Sequence, residues 1–147
     1  YWDSLIAVMS LEPGLKALLS ALRNKRVPVG VGSDMTAYTQ YRKLERLGIL
    51  DQISQITVSE ETVVEKPDPR FFATCVEKMG CKASECVFIG DSLKKDALGA
   101  SACGLHGVWY TPPHKAVQSE ADIARISSFD DCLQGDKIVF SEDLEIL

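Results

Sequence analysis

A short apolar run that ends in Gly-Asp-Ser constrains the fold of this chain more than any other feature. The run Val87–Ile89 leads into Gly90, Asp91 and Ser92, and a helical segment rich in small residues follows, with Asp96 five positions after Asp91. A continuous apolar run is typical of a strand that is buried on both faces. In α/β sheets, ligands bind outside the carboxyl ends of the strands. This strand-to-helix turn is therefore a candidate site, although a plain helix cap would also explain Asp91.

Two upstream segments also place polar residues where an apolar run or a loop gives way to a helix. The run 27–32 ends in Ser33 and Asp34, and a helical pattern follows. Lys66 begins the sequence Lys-Pro-Asp-Pro, which opens another helix. In chain order the residues are a hydroxyl, a lysine and then two carboxylates. The alternative interpretations are that Ser33 caps a helix and that Lys66 is a solvated surface charge.

The spacing of apolar residues predicts helices and strands in alternation. Leucines at 15, 18, 19 and 22 follow the pattern of an amphipathic helix that begins at Pro13. Such alternation favours an α/β fold, with a Rossmann-like parallel sheet and helices on both faces. The further predicted helices are 36–47, 69–79, a segment after Gly90 and a short one at 128–133; the predicted strands are 27–32, 56–58, 86–89 and 107–110, and 111–127 is predicted to be mostly loop.

Composition indicates one ordinary domain that spans the 147 residues. A net charge of −5 does not favour binding to nucleic acid, and no apolar run is long enough to span a membrane. The five cysteines include no Cys-x-x-Cys pair. Cys75, Cys86 and Cys103 occupy apolar positions, where Cys acts as a small hydrophobe. We therefore expect a cytoplasmic protein in a reducing compartment.

The polar residues and their flanking sequences together resemble three motifs of the haloacid dehalogenase (HAD) superfamily. Ser33, the Lys66 loop and the Asp91…Asp96 turn match its second, third and fourth motifs in order. The resemblance covers roughly residues 10 to 134. It is supported by the flanking segments Leu44–Ile49, Lys66–Pro69 and Gly104–Trp109.

This resemblance implies a Mg²⁺-dependent phosphatase of small phosphorylated metabolites that acts through an aspartyl-phosphate. Ser33 and Lys66 would be the catalytic residues of this chain, and Ser33, Asp34 and Lys66 would bind the phosphoryl group. Asp91 would ligate Mg²⁺ directly, and Asp96 would hold a metal-bound water or orient Lys66. The family commonly has Asn where this chain has Asp34, and a carboxylate there should repel phosphate unless it points away.

The first motif of the family, which carries the nucleophilic Asp, has no match in this chain, and no cap domain is recognisable. Because the chain begins with Tyr1 rather than Met, we expect that an N-terminal portion is missing. The sheet would then lack its central strand, between the strands ending at Ser33 and at Gly90. The missing N-terminal segment, a second chain or Ile138–Phe140 would fill that position. The alternatives are a nucleophile-less relative that binds phosphate or a protein partner without turnover, and mutase or phosphonatase chemistry.

Overall fold

The computed structural model describes residues 14–112 and 118–146. Helices and strands alternate over most of this length, as the apolar spacing predicts. The helices are α1 Gly14–Asn24, α2 Ala37–Arg46, α3 Ser59–Thr62, α4 Pro69–Met79, a π-helix Leu93–Leu98 and α5 Gly99–Ala102, with 3₁₀ turns at Leu50–Gln52, Ala83–Glu85 and Phe129–Cys132. The strands are β1 Gly30–Ser33, β2 Gln55–Val58, β3 Val87–Gly90, β4 His106–Tyr110, β5 Ala124–Ile126, β6 Leu133–Gln134, β7 Lys137–Ser141 and β8 Leu144–Ile146.

The strands form two parallel sheets and one antiparallel sheet. β1 pairs with β2, and β3, β4 and β5 pair in that order; all these pairs are parallel. The strands β6, β7 and β8 form an antiparallel sheet near the C-terminus. This arrangement confirms the predicted α/β fold with parallel strands and helices.

An apolar cavity separates the two parallel sheets. Within the described residues, β1 pairs only with β2 and β3 pairs with β4 but not with β1. Both strands line a cavity of about 310 Å³. Its apolar walls include Leu19, Val29, Val31, Met79, Val87 and Ile89. The division of the sheet therefore lies where the family resemblance predicts an absent strand.

Helices α1 and α4 follow their amphipathic patterns. The four leucines of α1 are buried in the core, as predicted; the predicted start at Pro13 lies outside the described residues. In α4, the side chain of Asp68 accepts a hydrogen bond from the Arg70 N–H, and Pro69 follows as the first helical residue. Gly80 ends this helix with φ of 69°, a left-handed conformation that suits glycine. Asp68 and Pro69 therefore fix where the loop that carries Lys66 enters the helix.

Three parts of the chain differ from the sequence-based expectations. β5 lies within residues predicted to be loop, and the predicted closing helix is a 3₁₀ turn followed by the antiparallel sheet. A disulfide joins Cys81 to Cys86, although Cys86 was expected to be a free small hydrophobe. The 3₁₀ turn Ala83–Glu85 between the two cysteines brings them together. No helix among residues 14–112 and 118–146 is long and apolar enough to cross a membrane.

Candidate active site

Polar residues from three loops meet at the carboxyl ends of β1 and β3. Ser33 is the last residue of β1, and Asp91 directly follows β3. Lys66 lies in the loop between α3 and α4, and Asp96 lies in the π-helix after Asp91. A π-helical turn inside a helix is rare and frequently marks a functional site.

A buried ion pair between Lys66 and Asp96 joins two of these loops. The Lys66 Nζ lies 2.9 Å from the Asp96 Oδ1, and the two side chains are 2% and 0% exposed. The same Nζ donates to the main-chain carbonyl of Gly32 at 3.4 Å. The ring centroids of Phe71 and Phe88 each lie 6.0 Å from the Nζ. The ammonium group is therefore fixed next to the end of β1. Lys66 is not a solvated surface charge, which was the alternative interpretation of this residue.

Asp96 connects Lys66 to the turn that carries Asp91. While its Oδ1 contacts Lys66, its Oδ2 accepts a hydrogen bond from the Ser92 N–H at 3.0 Å. A Cβ at Gly90 would overlap the Asp96 carboxyl group, so this close packing requires glycine at the end of β3. Burial raises the pKa of Asp96, and the nearby Lys66 and the Ser92 N–H oppose that shift.

Ser33 and Asp34 occupy the turn after β1. Ser33 is fully buried, and its Oγ accepts a hydrogen bond from the Met35 N–H at 3.1 Å. The N-cap of α2 is Thr36, whose hydroxyl accepts from the Thr39 N–H. Ser33 therefore does not cap that helix, which was the main alternative explanation for this serine.

The carboxylate of Asp34 points to the loop that carries Lys66. Its Oδ1 accepts a hydrogen bond from the Lys66 main-chain N–H at 3.2 Å. The main-chain carbonyl of Asp34 accepts another from the Ser59 hydroxyl at 2.9 Å. Asp34 thus connects the end of β1 to the two segments that follow β2.

Asp91 is half-buried at the start of the turn after β3. The cap of the following helical segment is Ser92, whose hydroxyl accepts from the Lys95 N–H, so the structure assigns the capping role to Ser92. The main-chain carbonyl of Asp91 accepts a hydrogen bond from the Trp109 indole N–H at 3.1 Å. The sequence predicts no site role for Trp109. It lies opposite Gly90 in the pairing of β3 with β4, and no pattern in the sequence specifies that register.

The chemistry of these side chains fits Mg²⁺. Residues 14–112 and 118–146 contain no group of three or more His, Cys, Asp and Glu side chains that could hold a metal ion. Mg²⁺ needs no such cluster, because it commonly takes one or two carboxylates and completes its shell with waters and substrate phosphate oxygens. Asp91, half-buried in the turn after β3, is the carboxylate that the family resemblance assigns to this role. Asp96 is already engaged by Lys66 and by Ser92.

The sequence and the fold together define the family. The model of the haloacid dehalogenase-like hydrolases matches residues 4–104, and this chain belongs to that family. It is 36% identical over 121 residues to the ribulose-1,5-bisphosphate 5-phosphatase of Halopiger xanaduensis, covering 82% of this chain and 51% of that protein. It is 35% identical over 105 residues to the glyceraldehyde 3-phosphate phosphatase of Methanopyrus kandleri, covering 71% of this chain and 45% of that protein. The chain thus spans about half the length of these curated relatives.

The fold is also similar to that of a magnesium-bound HAD hydrolase from Bacillus subtilis. The TM-score is 0.70 at 26% sequence identity, and the match covers 82% of this chain and 52% of that structure. The parallel α/β fold is therefore shared with a solved member of the family.

Proposed function

We propose that this chain is the core of a Mg²⁺-dependent phosphatase that hydrolyses a small phosphorylated metabolite. The buried Lys66–Asp96 pair at the carboxyl ends of β1 and β3 carries the proposal. Burying a lysine costs free energy even when it is paired, so a fixed ammonium group at a ligand-binding edge needs an explanation beyond stability. Two curated relatives are phosphatases of small phosphorylated sugars, which supports the substrate class.

Three residues of this chain would bind the phosphoryl group. Phosphoryl transfer spreads negative charge over three equatorial oxygens, so catalysis depends mainly on positioning and charge stabilisation. Lys66 would place a positive charge against those oxygens. Ser33 would donate its hydroxyl, and Asp34 would contribute its main chain, since its carboxylate contacts the Lys66 loop.

Asp91 and Asp96 would divide the remaining roles. Asp91 would ligate Mg²⁺, which would neutralise charge on the phosphoryl oxygens when bound. Asp96 would act as a positioning residue, because its two oxygens hold Lys66 and the Ser92 N–H in fixed relation. This arrangement favours the second of the two roles expected for Asp96, the orientation of Lys66.

The nucleophilic Asp would come from a strand seated between β1 and β3. The cavity there has a volume of about 310 Å³, whereas a cavity of about 150 Å³ is enough for one benzene molecule. The space therefore suits several aliphatic side chains of a buried strand. A parallel strand in this position would end beside Ser33 and Asp91. The length of the relatives, about twice the span matched, allows such a segment.

Substitution of Lys66 tests the proposed chemistry. In the full-length protein, Lys66→Met should slow phosphate release from p-nitrophenyl phosphate by about 10²-fold or more, because it removes a preorganised charge. The matched control is Asp68→Asn, which alters an exposed ion pair in the same loop. Near-normal turnover by Lys66→Met would contradict the proposed role.

Complementation tests the proposed strand. We expect residues 1–147 alone to be inactive and poorly soluble, and co-expression with the upstream coding segment to restore solubility and Mg²⁺-dependent hydrolysis together. A monodisperse, fully active protein made of these 147 residues would contradict the proposal. Binding of inorganic phosphate by the full-length protein with no hydrolysis of any phosphomonoester would favour the nucleophile-less alternative.

A further inference from the structure

Trp109 links the strand β4 to the turn that carries Asp91. It lies opposite Gly90 in the parallel pairing of β3 and β4, one residue before Asp91. Its indole Nε1–H donates to the main-chain carbonyl oxygen of Asp91 at 3.1 Å. The side chain is buried, with Trp109 only 6% exposed. The hydrogen bond itself is partly buried.

Arg125 holds the indole ring in place from the next strand. In the register of β4 and β5, Trp109 lies opposite Arg125. The guanidinium carbon lies 4.6 Å from the indole centroid, which is within the range of a cation–π interaction. The Arg125 Nε–H also donates to the Thr111 hydroxyl oxygen at 2.7 Å, which fixes the guanidinium plane. The indole is thus packed against Arg125 with its N–H directed at the Asp91 carbonyl.

The turn at Asp91 and Ser92 is therefore held at two points. The Ser92 N–H donates to Asp96, and the Asp91 carbonyl accepts from Trp109. We propose that Trp109 is a positioning residue for the metal site, which sets the main chain of Asp91 so that its carboxylate can ligate Mg²⁺. The inference rests on the proposed function, since it takes Asp91 as the ligand. Arg125 supports the same geometry because its guanidinium group packs against the Trp109 ring.

The test is the Mg²⁺ dependence of the Trp109→Phe variant in the full-length protein. Phe retains most of the ring but lacks the N–H donor. Two readouts are measured: the rise in melting temperature on adding Mg²⁺ to protein prepared in EDTA, and the Mg²⁺ concentration for half-maximal hydrolysis of p-nitrophenyl phosphate. We expect about 3- to 10-fold more Mg²⁺ to be needed in both, as for the loss of one hydrogen bond. At saturating Mg²⁺, kcat should return close to that of the unmodified protein.

Val108→Ala is the matched control. Val108 is fully buried on the same strand, next to Trp109, and its truncation removes core packing without removing a hydrogen-bond donor. It should lower the melting temperature in EDTA and leave the Mg²⁺ requirement unchanged. Arg125→Gln should change the Mg²⁺ requirement in the same direction as Trp109→Phe, by a smaller factor.

The outcomes separate the inference from the function on which it rests. Trp109→Phe with the same Mg²⁺ requirement as Val108→Ala would overturn the positioning role, as would a loss of kcat that excess Mg²⁺ does not restore. If the unmodified protein shows no response to Mg²⁺, or if Asp91→Ala responds as it does, the proposed metal site itself is wrong and the positioning role falls with it.

Discussion

Breaking the buried ion pair between Lys66 and Asp96 should destabilise the protein, and removal of the lysine should make that cost depend on pH. Lys66 and Asp96 are 2% and 0% exposed and lie 2.9 Å apart. Removing one partner of a buried pair typically costs 3–5 kcal/mol, because the other charge remains buried. With a shift of about 2–4 °C per kcal/mol for a protein of roughly 150–250 residues, the melting temperature should fall by about 6–20 °C.

The two single variants differ in what they leave behind. Asp96→Asn removes the carboxylate that lies 2.9 Å from the buried ammonium of Lys66. Lys66→Met leaves the Asp96 carboxyl, whose pKa burial already raises and which then lacks the opposing charge of Lys66. A raised pKa in the folded state means that the folded protein binds a proton which the unfolded chain releases, so stability is lost as pH rises through the folded pKa. Lys66→Met should therefore be less destabilised, relative to the unmodified protein, at pH 5 than at pH 8.

Urea unfolding followed by circular dichroism at both pH values measures these effects. The double variant Lys66→Met/Asp96→Asn should cost less than the sum of the single variants, because it removes both charges of the pair together. The control is Asp68→Asn, because Asp68 and Arg70 also lie 2.9 Å apart but on the exposed surface. That variant keeps an oxygen to cap α4 and should unfold like the unmodified protein. Additive single costs, or a Lys66→Met cost that does not change with pH, would refute this account of the pair.

Three further predictions follow from local geometry. Val63 is 87% exposed and has φ of 61°, so Val63→Gly should relieve left-handed strain and raise the free energy of unfolding by roughly 1 kcal/mol, measured as a higher urea midpoint. A Cβ at Gly107 would overlap the carbonyl of Ala97, so Gly107→Ala should destabilise the protein by about 1–3 kcal/mol or more, measured in the same way. Burial raises the pKa of both Cys75 and Cys132 to about 11, so iodoacetamide at pH 8 should modify them only after the protein is unfolded in urea, as mass spectrometry of digested protein would show.

The meeting of the site residues could be predicted because it depends on topology. Residues that follow parallel strands lie at one edge of the sheet, so Ser33 and Asp91 were expected there from the strand pattern alone. The position of Lys66 depended on the family resemblance, since a lysine in a polar loop carries no periodic signal. The order of the hydroxyl, the lysine and the acids indicated the family, whereas the spacing of apolar residues predicted only helices and strands.

Other features left no readable pattern in the sequence. β5 has three residues, too few for alternation to distinguish it from a loop. The pairing of Cys81 with Cys86 depends on the 3₁₀ turn between them, which spacing alone does not specify. The role of Trp109 arises from its register with β3, and register between strands is set by three-dimensional packing rather than by local composition.

Asp34 shows how the structure resolves a conflict that the sequence poses. A carboxylate beside a phosphate site should repel the ligand, yet the Asp34 Oδ1 accepts the main-chain N–H of Lys66 at 3.2 Å. That hydrogen bond directs the carboxylate to the loop and anchors the segment that carries the ammonium group. An Asn would accept the same bond without the charge. The anchor therefore explains why an oxygen acceptor stands at this position.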